Sequence, residues 1–356
     1  MTTQHIVVAG GGTAGHIEPA LAVAEVLRDS YGAEVTALGT EKGLETTIIP
    51  ARGFPLELIE PVPIPRKKPL KLLGVPAKLI RSVAQTRATL KKTQADAVFG
   101  TGGYVSASAY LAARSLRIPF YVLETNALAG MANKLGVKLG GTGFNAVPDS
   151  GMPGEVLGIP VRPGVGVDDD GVKAKRGYKT WNLDPQRPTV LVTGGSQGAR
   201  SINTAVQGAV GRLTAAGHQV LHAYGRKNDA PPAHEHYTAV PYIDDMEAAY
   251  SVADVVICRS GAMTVAENSA AGVPAIYIPL PHGNGEQGLN SAHVVDAGAA
   301  VRIDDADLTP DALVEAVNGI LGPGGNAAAM RAALDDSGAG NAADEIARRI
   351  IGERKP

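Results

Sequence analysis

The chain has 356 residues, of which 44% are hydrophobic and 19% charged; this ordinary globular composition excludes disorder as the overall state, and at roughly 150 residues per domain the length suggests two domains. A formal net charge of −2 argues against a general nucleic-acid binder, and the single cysteine, Cys258, leaves no internal disulfide and fits a reducing cytosol. No stretch approaches the roughly 18 apolar residues of a membrane span, and the opening run to Ala9 is too short for a signal peptide, so a protein of the cytosol is expected.

In chain order, apolar runs stand at 5–10 (HIVVAG), 34–39 (EVTALG), 96–103, 120–125 (FYVLET), 189–195 (TVLVTGG), 219–225, 254–261 and 275–280. Their apolarity is continuous rather than alternating, which predicts parallel strands covered on both faces. Helix-patterned stretches lie between them at 19–32, 104–117, 201–217 and 263–272. Strand alternating with helix marks βαβ units wound into a parallel sheet. The series starts twice, at 5–28 and at 189–217, on either side of a glycine-, proline- and charge-rich stretch at 154–177. The expected fold is α/β, with two Rossmann-like, doubly wound domains facing across a cleft. The expected boundaries are residues 1–160, joined by a C-terminal amphipathic helix at 338–356, and residues 161–337.

Five segments carry candidate chemistry. In GGGTAGHIEPA (10–20), Gly10, Gly12 and Gly15 have the G-x-G-x-x-G spacing that brings backbone amides to an anionic group. The same pattern suits a plain tight turn or an NAD site. For NAD, the acid at the end of the second strand comes one step late, after Leu38-Gly39-Thr40, at Glu41. His16, at the start of the helix, is either a base working near neutral pH or a helix-capping histidine. In TGGSQGARSIN (193–203), the amides of Gly194–Gly198 and the Ser196 hydroxyl suit phosphate or sugar oxygens, or again only a turn.

The third segment, 257–290, gathers more polar features. Ser260 to Thr264 open a helix at the carboxyl end of a strand, a place that favours a diphosphate. Glu267, one turn further, is placed to accept both hydroxyls of a ribose, or else is a solvated glutamate. Gln287 and Asn290 suit sugar hydroxyls, and Cys258, inside the strand, reads as buried rather than nucleophilic. The fourth places Gly102-Gly103-Tyr104, Glu124 and Asn126 at the carboxyl ends of two strands, where ligands bind in open α/β sheets. The fifth, Pro61–Ala95, contains no acid. There Arg66, Lys67, Lys68, Lys71, Lys78, Arg81, Arg87, Lys91 and Lys92 interleave with leucines, Val75 and Ile80. That mixture favours contact with an anionic membrane over a solvated basic helix or nucleic acid. No metal-ligand spacing, Walker loop or G-x-S-x-G elbow occurs.

Taken together, GGGTAGH (10–16), GTGGYVSASAYLAAR (100–114), ETNALAGMANK (124–134), GGSQGARSIN (194–203), RSGAMTVAENSAAGVPAIYIPLP (259–281) and NGEQGLNS (284–291) closely resemble, in order, the MurG family of cell-wall N-acetylglucosaminyltransferases, in its actinobacterial form. The resemblance covers nearly the whole chain. It implies a GT-B fold, with the lipid acceptor on the first domain and the donor on the second. The implied reaction moves GlcNAc from UDP-GlcNAc to the C4 hydroxyl of the muramyl sugar of lipid I, with inversion, for peptidoglycan synthesis. The partners implied are these two substrates and the anionic inner leaflet, with no nucleic acid, at the cytoplasmic face of the cell membrane. No cofactor or protein-bound metal is implied, a divalent cation being at most a companion of the substrate diphosphates.

Position by position, the resemblance places Thr13, Ala14 and Gly15 at the donor sugar and acceptor diphosphate, and Asn126 at a sugar. It places Arg162 and Ser196 near the donor, the backbone of Ile243 at the uracil, and Gln287 at GlcNAc. Ala262, Met263, Thr264, Val265, Ala266 and Glu267 match the diphosphate and ribose segment. Three departures stand out: Ala14 replaces a commoner glycine, Leu123 a frequent histidine, and Thr125 a frequent glutamine. Leu123 cannot act as a base, which leaves His16 first and Glu124 second. A UDP-sugar epimerase, a transferase with a soluble acceptor, a nicotinamide dehydrogenase and a non-catalytic nucleotide-binding module are the rival classes.

Overall fold

The computed structural model describes residues 3–41, 43–62, 75–168, 170–195, 198–281, 285–335 and 342–352. The chain divides into two compact units, Met1–Arg162 with Asn341–Pro356, and Pro163–Gly340. The first unit runs β1 (His5–Gly10), α1 (Ala14–Tyr31), β2 (Glu34–Gly39), α2 (Glu45–Ala51), β3 (Leu56–Leu58), α3 (Val75–Lys92), β4 (Ala97–Gly102), α4 (Gly103–Leu116), β5 (Phe120–Glu124), α5 (Met131–Lys138), β6 (Thr142–Asn145) and β7 (Glu155–Val156). Its strands pair in parallel in the order β3-β2-β1-β4-β5-β6-β7.

The second unit runs α6 (Val172–Trp181), β8 (Thr189–Thr193), α7 (Arg200–Ala215), β9 (Gln219–Ala223), β10 (Tyr237–Val240), α8 (Met246–Val252), β11 (Val255–Cys258), α9 (Ala262–Ala270), β12 (Ala275–Tyr277), α10 (Glu286–Asn290), α11 (Ala292–Asp296), β13 (Ala300–Arg302), α12 (Pro310–Leu321) and α13 (Ala327–Asp335). Its sheet, also parallel, has the order β10-β9-β8-β11-β12-β13. The last helix, α14 (Ala342–Ile351), returns to the first unit. Both sheets therefore repeat the doubly wound order 3-2-1-4-5-6, in which the direction of winding reverses beside the first strand.

The period-2 geometry of a strand turns each apolar run into two cores. In β1, Ile6 and Val8 join one cluster with α1 and α14, while Val7 and Ala9 join the cluster under α4. In β11, Val255 and Ile257 face one way and Val256 and Cys258 the other. Burial on both faces is why these runs carry no polar alternation. On α14, Ile346, Ala347 and Ile350 are buried among residues of β1 and α1. Tyr31 fixes the same helix, donating to Asp344 at 2.9 Å and accepting from Arg348 Nε at 3.1 Å.

The expected start of a helix at residue 19 was late. Proline often stands in a first turn, but α1 begins at Ala14 and carries Pro19 inside. The strands absent from the apolar runs are β3, β6, β7, β10 and β13, which are short and in four cases lie at a sheet edge.

Candidate active site

In a doubly wound sheet, ligands bind outside the carboxyl ends of the strands where the winding reverses. In the first unit this point lies between β1 and β4, whose last residues Gly10 and Gly102 are paired. Thr13, extended at φ −143°, precedes α1 without a side-chain cap. Its carbonyl accepts from His16 and Ile17, both at 3.1 Å. Thr13 is exposed, while Ala14, Gly15 and His16 are half-buried. The amides of Ala14 and Gly15 are first-turn donors with no acceptor among the described residues. The imidazole of His16 lies over the turn that leaves β4: a Cβ on Gly102 would stand 2.8 Å from Cε1 and 2.9 Å from Nδ1. Gly102 also has φ +119°. Glycine is thus required there both by conformation and by the room the ring needs.

Glu124 ends β5 and is 1% exposed. Its Oε1 accepts from the Asn126 amide at 2.9 Å and from Asn126 Nδ2 at 3.3 Å. Its Oε2 accepts from the Gly130 amide at 2.9 Å and from Asn133 Nδ2 at 2.9 Å. Four donors occupy the four lone-pair sites of a carboxylate. This arrangement positions Asn126 and the start of α5, and with all four lone-pair sites engaged it favours a positioning role for Glu124 over the expected one as second base to His16. Asn133, which sequence reasoning missed, also donates to the Leu123 carbonyl at 3.0 Å and accepts from Tyr110 at 3.1 Å.

In the second unit the winding reverses between β8 and β11. Gly261 caps α9 with its backbone alone, and the first turn of the helix carries no acid. The first amide with an intrahelical acceptor is that of Val265, bonded to the Gly261 carbonyl at 3.0 Å. The amides of Ala262, Met263 and Thr264 have no acceptor among the described residues, so three donors and the positive end of the helix dipole meet at one point. The Ser260 hydroxyl, fully buried at the same turn, also has no partner there. Within the expected set Val265 differs from its neighbours, because its amide is engaged within the helix and its side chain is in the core. Ala266 is half-buried on the same helix.

Glu267 is 9% exposed and its Oε2 accepts from the Tyr250 hydroxyl at 3.0 Å. The solvated alternative therefore does not hold. Gln287 Oε1 accepts from the Leu280 amide at 3.0 Å, and Asn290 Nδ2 reaches the Ser260 carbonyl at 3.4 Å. These contacts tie the loop after β12 to the turn before α9. The Ile243 side chain is in the core, which leaves only its backbone for a ligand. Arg162, half-buried, is the last residue of the first unit. Ser196 lies outside the described residues. Cys258 is buried beneath α9, and burial pushes its thiol up to about 12, as the buried reading expects.

Two supports had no signal in the sequence. Arg259 Nη1 donates to the Ile278 carbonyl at 3.1 Å, the Pro279 carbonyl at 3.2 Å and Asp305 at 2.5 Å, and Nη2 donates to Ser201 at 2.9 Å. It fastens the exits of β11 and β12 to the start of α7. His222 bonds Tyr237 at 2.7 Å and Asn203 at 3.0 Å, and burial pushes it down to about 4, so it is neutral near pH 7. Both residues find their partners far along the chain, which local spacing cannot reveal.

Of the basic segment, residues 63–74, with Arg66, Lys67, Lys68 and Lys71, lie outside the described residues. On α3, Lys78, Ile80, Arg81 and Lys91 are exposed. Acids from outside the segment reach it: Glu57 lies 2.7 Å from Lys92 and Glu60 lies 3.8 Å from Arg81. No helix among the described residues is long and apolar enough to cross a membrane. No group of three or more metal-ligating side chains occurs among the described residues.

Two family models match the chain: the glycosyltransferase family 28 N-terminal domain over residues 6–140 and the family 28 C-terminal domain over residues 189–350. A UDP-N-acetylglucosamine–N-acetylmuramyl-(pentapeptide) pyrophosphoryl-undecaprenol N-acetylglucosamine transferase of Corynebacterium efficiens is 61% identical, over 96% of this chain and 95% of that relative. The enzyme of the same name from Nocardia farcinica is 50% identical, over 97% and 95%. Among solved structures, Acinetobacter baumannii MurG matches with a TM-score of 0.75 at 28% identity, covering 98% of this chain and 99% of that one. The calicheamicin glycosyltransferase CalG4 matches with a TM-score of 0.71 at 18% identity, a likeness of fold alone. With two parallel α/β units of the GT-B kind and relatives this similar over nearly their full length, the chain belongs to glycosyltransferase family 28 and, within it, to the MurG family of N-acetylglucosamine transferases.

Proposed function

We propose that the protein transfers GlcNAc from UDP-GlcNAc to the C4 hydroxyl of the muramyl sugar of undecaprenyl-pyrophosphoryl-MurNAc-pentapeptide, lipid I, with inversion, to give lipid II for peptidoglycan synthesis. The observation that carries this reading is the open first turn of α9, where the amides of Ala262, Met263 and Thr264 converge ahead of the buried Glu267. Such a turn suits the diphosphate of a nucleotide sugar, and a buried carboxylate one turn on suits the two hydroxyls of its ribose. The relatives' name specifies the same donor and a pyrophosphoryl-undecaprenol acceptor.

The chemistry assigned to the residues is a single displacement. The acceptor oxygen forms its bond to the anomeric carbon as its proton passes to His16, a transfer worth about 10²–10⁴-fold in such reactions. The bond from that carbon to UDP breaks, and its electron pair goes to the β-phosphate. The α9 amides, with Arg162 and Ser196, receive this growing charge, and preorganised donors do so without reorganising. Thr13, Ala14 and Gly15 hold the acceptor diphosphate through the open start of α1. Asn126, held by Glu124, meets a sugar; the Ile243 backbone reads the uracil; Gln287 binds the donor GlcNAc. The proposal assigns no resident cofactor, and a divalent cation enters only with the substrate diphosphates.

A lipid-linked acceptor and a nucleotide-sugar donor place the work at the cytoplasmic face of the cell membrane, with the protein bound peripherally. Exposed Lys78, Arg81 and Lys91 beside exposed Ile80 support α3 as a membrane-contacting element. Changing these three cations to glutamine is expected to weaken binding to anionic vesicles; unaltered binding returns α3 to an ordinary solvated helix. The activity itself is tested with UDP-GlcNAc and a short-chain lipid I analogue. The expected product is a β-1,4-linked disaccharide formed with one UDP per transfer, and UDP release with no disaccharide contradicts the proposal.

A further inference from the structure

Glu45 opens α2 yet is fully buried. Its Oε1 accepts the Gly12 amide at 2.9 Å, bridging the exits of β1 and β2 across 33 residues. Its Oε2 has no partner among the described residues. Glycines surround the carboxylate: a Cβ on Gly11 would stand 2.7 Å from Oε1, and one on Gly43 would stand 1.4 Å from Oε2. The chain has thus left out side chains at two positions where a carboxylate fits. A buried carboxylate with one oxygen unmatched is costly, and no cation among the described residues pairs with it.

We infer that Glu45 is a positioning residue for the acceptor: by taking the Gly12 amide it fixes the first glycine turn, so that the open amides of Ala14 and Gly15 are set to receive an anionic diphosphate. Gly12 has φ +90° and is exposed, so without that hydrogen bond little holds the turn in one conformation. This inference rests on the placement of the acceptor diphosphate at the start of α1 proposed above. Glu45 touches no reacting atom. Its effect belongs to acceptor saturation, not to donor binding or proton transfer.

The test compares Glu45→Asp, which withdraws the acceptor atom from Gly12 by one methylene, with Glu45→Gln, which keeps an oxygen at the same reach. Hydrogen exchange of the 10–16 segment is measured without ligand, and KM is measured for a short-chain lipid I analogue and for UDP-GlcNAc. For Glu45→Asp, faster exchange at 10–16 and an acceptor KM raised about tenfold are expected, equivalent to about 1.4 kcal/mol, with donor KM unchanged. Glu45→Gln is expected within about threefold of the parent protein, as an amide oxygen also accepts an N–H. Unchanged exchange in Glu45→Asp overturns the inference. Faster exchange with a raised donor KM and an unchanged acceptor KM keeps the anchor but overturns the acceptor's placement. If Glu45→Asp does not fold, Glu45→Gln decides, because loss of acceptor saturation in that variant overturns the role.

Discussion

Replacing Glu124 by glutamine separates a positioning group from a catalytic base. The carboxylate accepts four N–H donors, three at 2.9 Å and one at 3.3 Å. Glutamine keeps one accepting oxygen and turns an NH₂ toward two of those donors, so two hydrogen bonds are lost whichever way the amide lies. Hydrogen bonds to charged groups contribute about 1.5–3 kcal/mol each, so Glu124→Gln is expected to cost about 3–6 kcal/mol. That is a large share of the 5–15 kcal/mol that typically separates folded from unfolded chains. The assay is urea unfolding, with hydrogen exchange over residues 120–138 and turnover measured well below the unfolding midpoint. The expected result is lower stability, faster exchange around Asn126 and α5, and a weaker hold on substrate. An unchanged midpoint with turnover down by 10² or more, the low end of what a lost base costs, refutes the reasoning and restores Glu124 as a proton acceptor.

Three further outcomes follow from the geometry. His16→Ala is expected to lower kcat by about 10²–10⁴-fold with donor KM nearly unchanged, and near-normal turnover removes it as the base. Glu267→Ala is expected to raise the donor KM, and Tyr250→Phe to raise it less, since the tyrosine only orients the carboxylate; an unchanged KM in Glu267→Ala, by initial-rate measurement, argues against the ribose contact. His222 is buried neutral, pushed down to about 4 from an ordinary 6.5, so the unfolded chain binds its proton first on acidification and stability falls as pH drops below 6.5. Between pH 7 and pH 5 this amounts to about 2 kcal/mol, checked by urea unfolding at the two pH values against His222→Gln, which is expected to lose that part of the slope.

The strands buried on both faces were legible because burial imposes a composition: HIVVAG and EVTALG coincide with β1 and β2. Glycine turns were legible because sterics leave few alternatives, as at Gly102, where a side chain would collide with His16. Edge strands such as β7, two exposed residues long, carry no such pressure and leave no pattern. Chemistry was readable where it is local, as in the first turn of α9. It was hidden where a role depends on side chains that only the fold brings together: for Glu267 the sequence left a ribose contact and a solvated side chain both open, and Tyr250 packs against it, while for Glu124 no local spacing shows that Asn126, Gly130 and Asn133 all turn toward one carboxylate. Glu45 leaves no mark in the sequence, because nothing in GTEKGLET shows that its carboxylate lies under a turn 33 residues earlier.

The central claim is that the donor diphosphate is held by the main-chain donors that open α9. Amide hydrogen exchange at Ala262, Met263 and Thr264, followed with and without saturating UDP, tests it directly. The account predicts marked slowing at these three amides on UDP binding and little change at Val265, whose amide is already bonded within the helix. UDP binding that leaves all three exchanging at their free rate contradicts it.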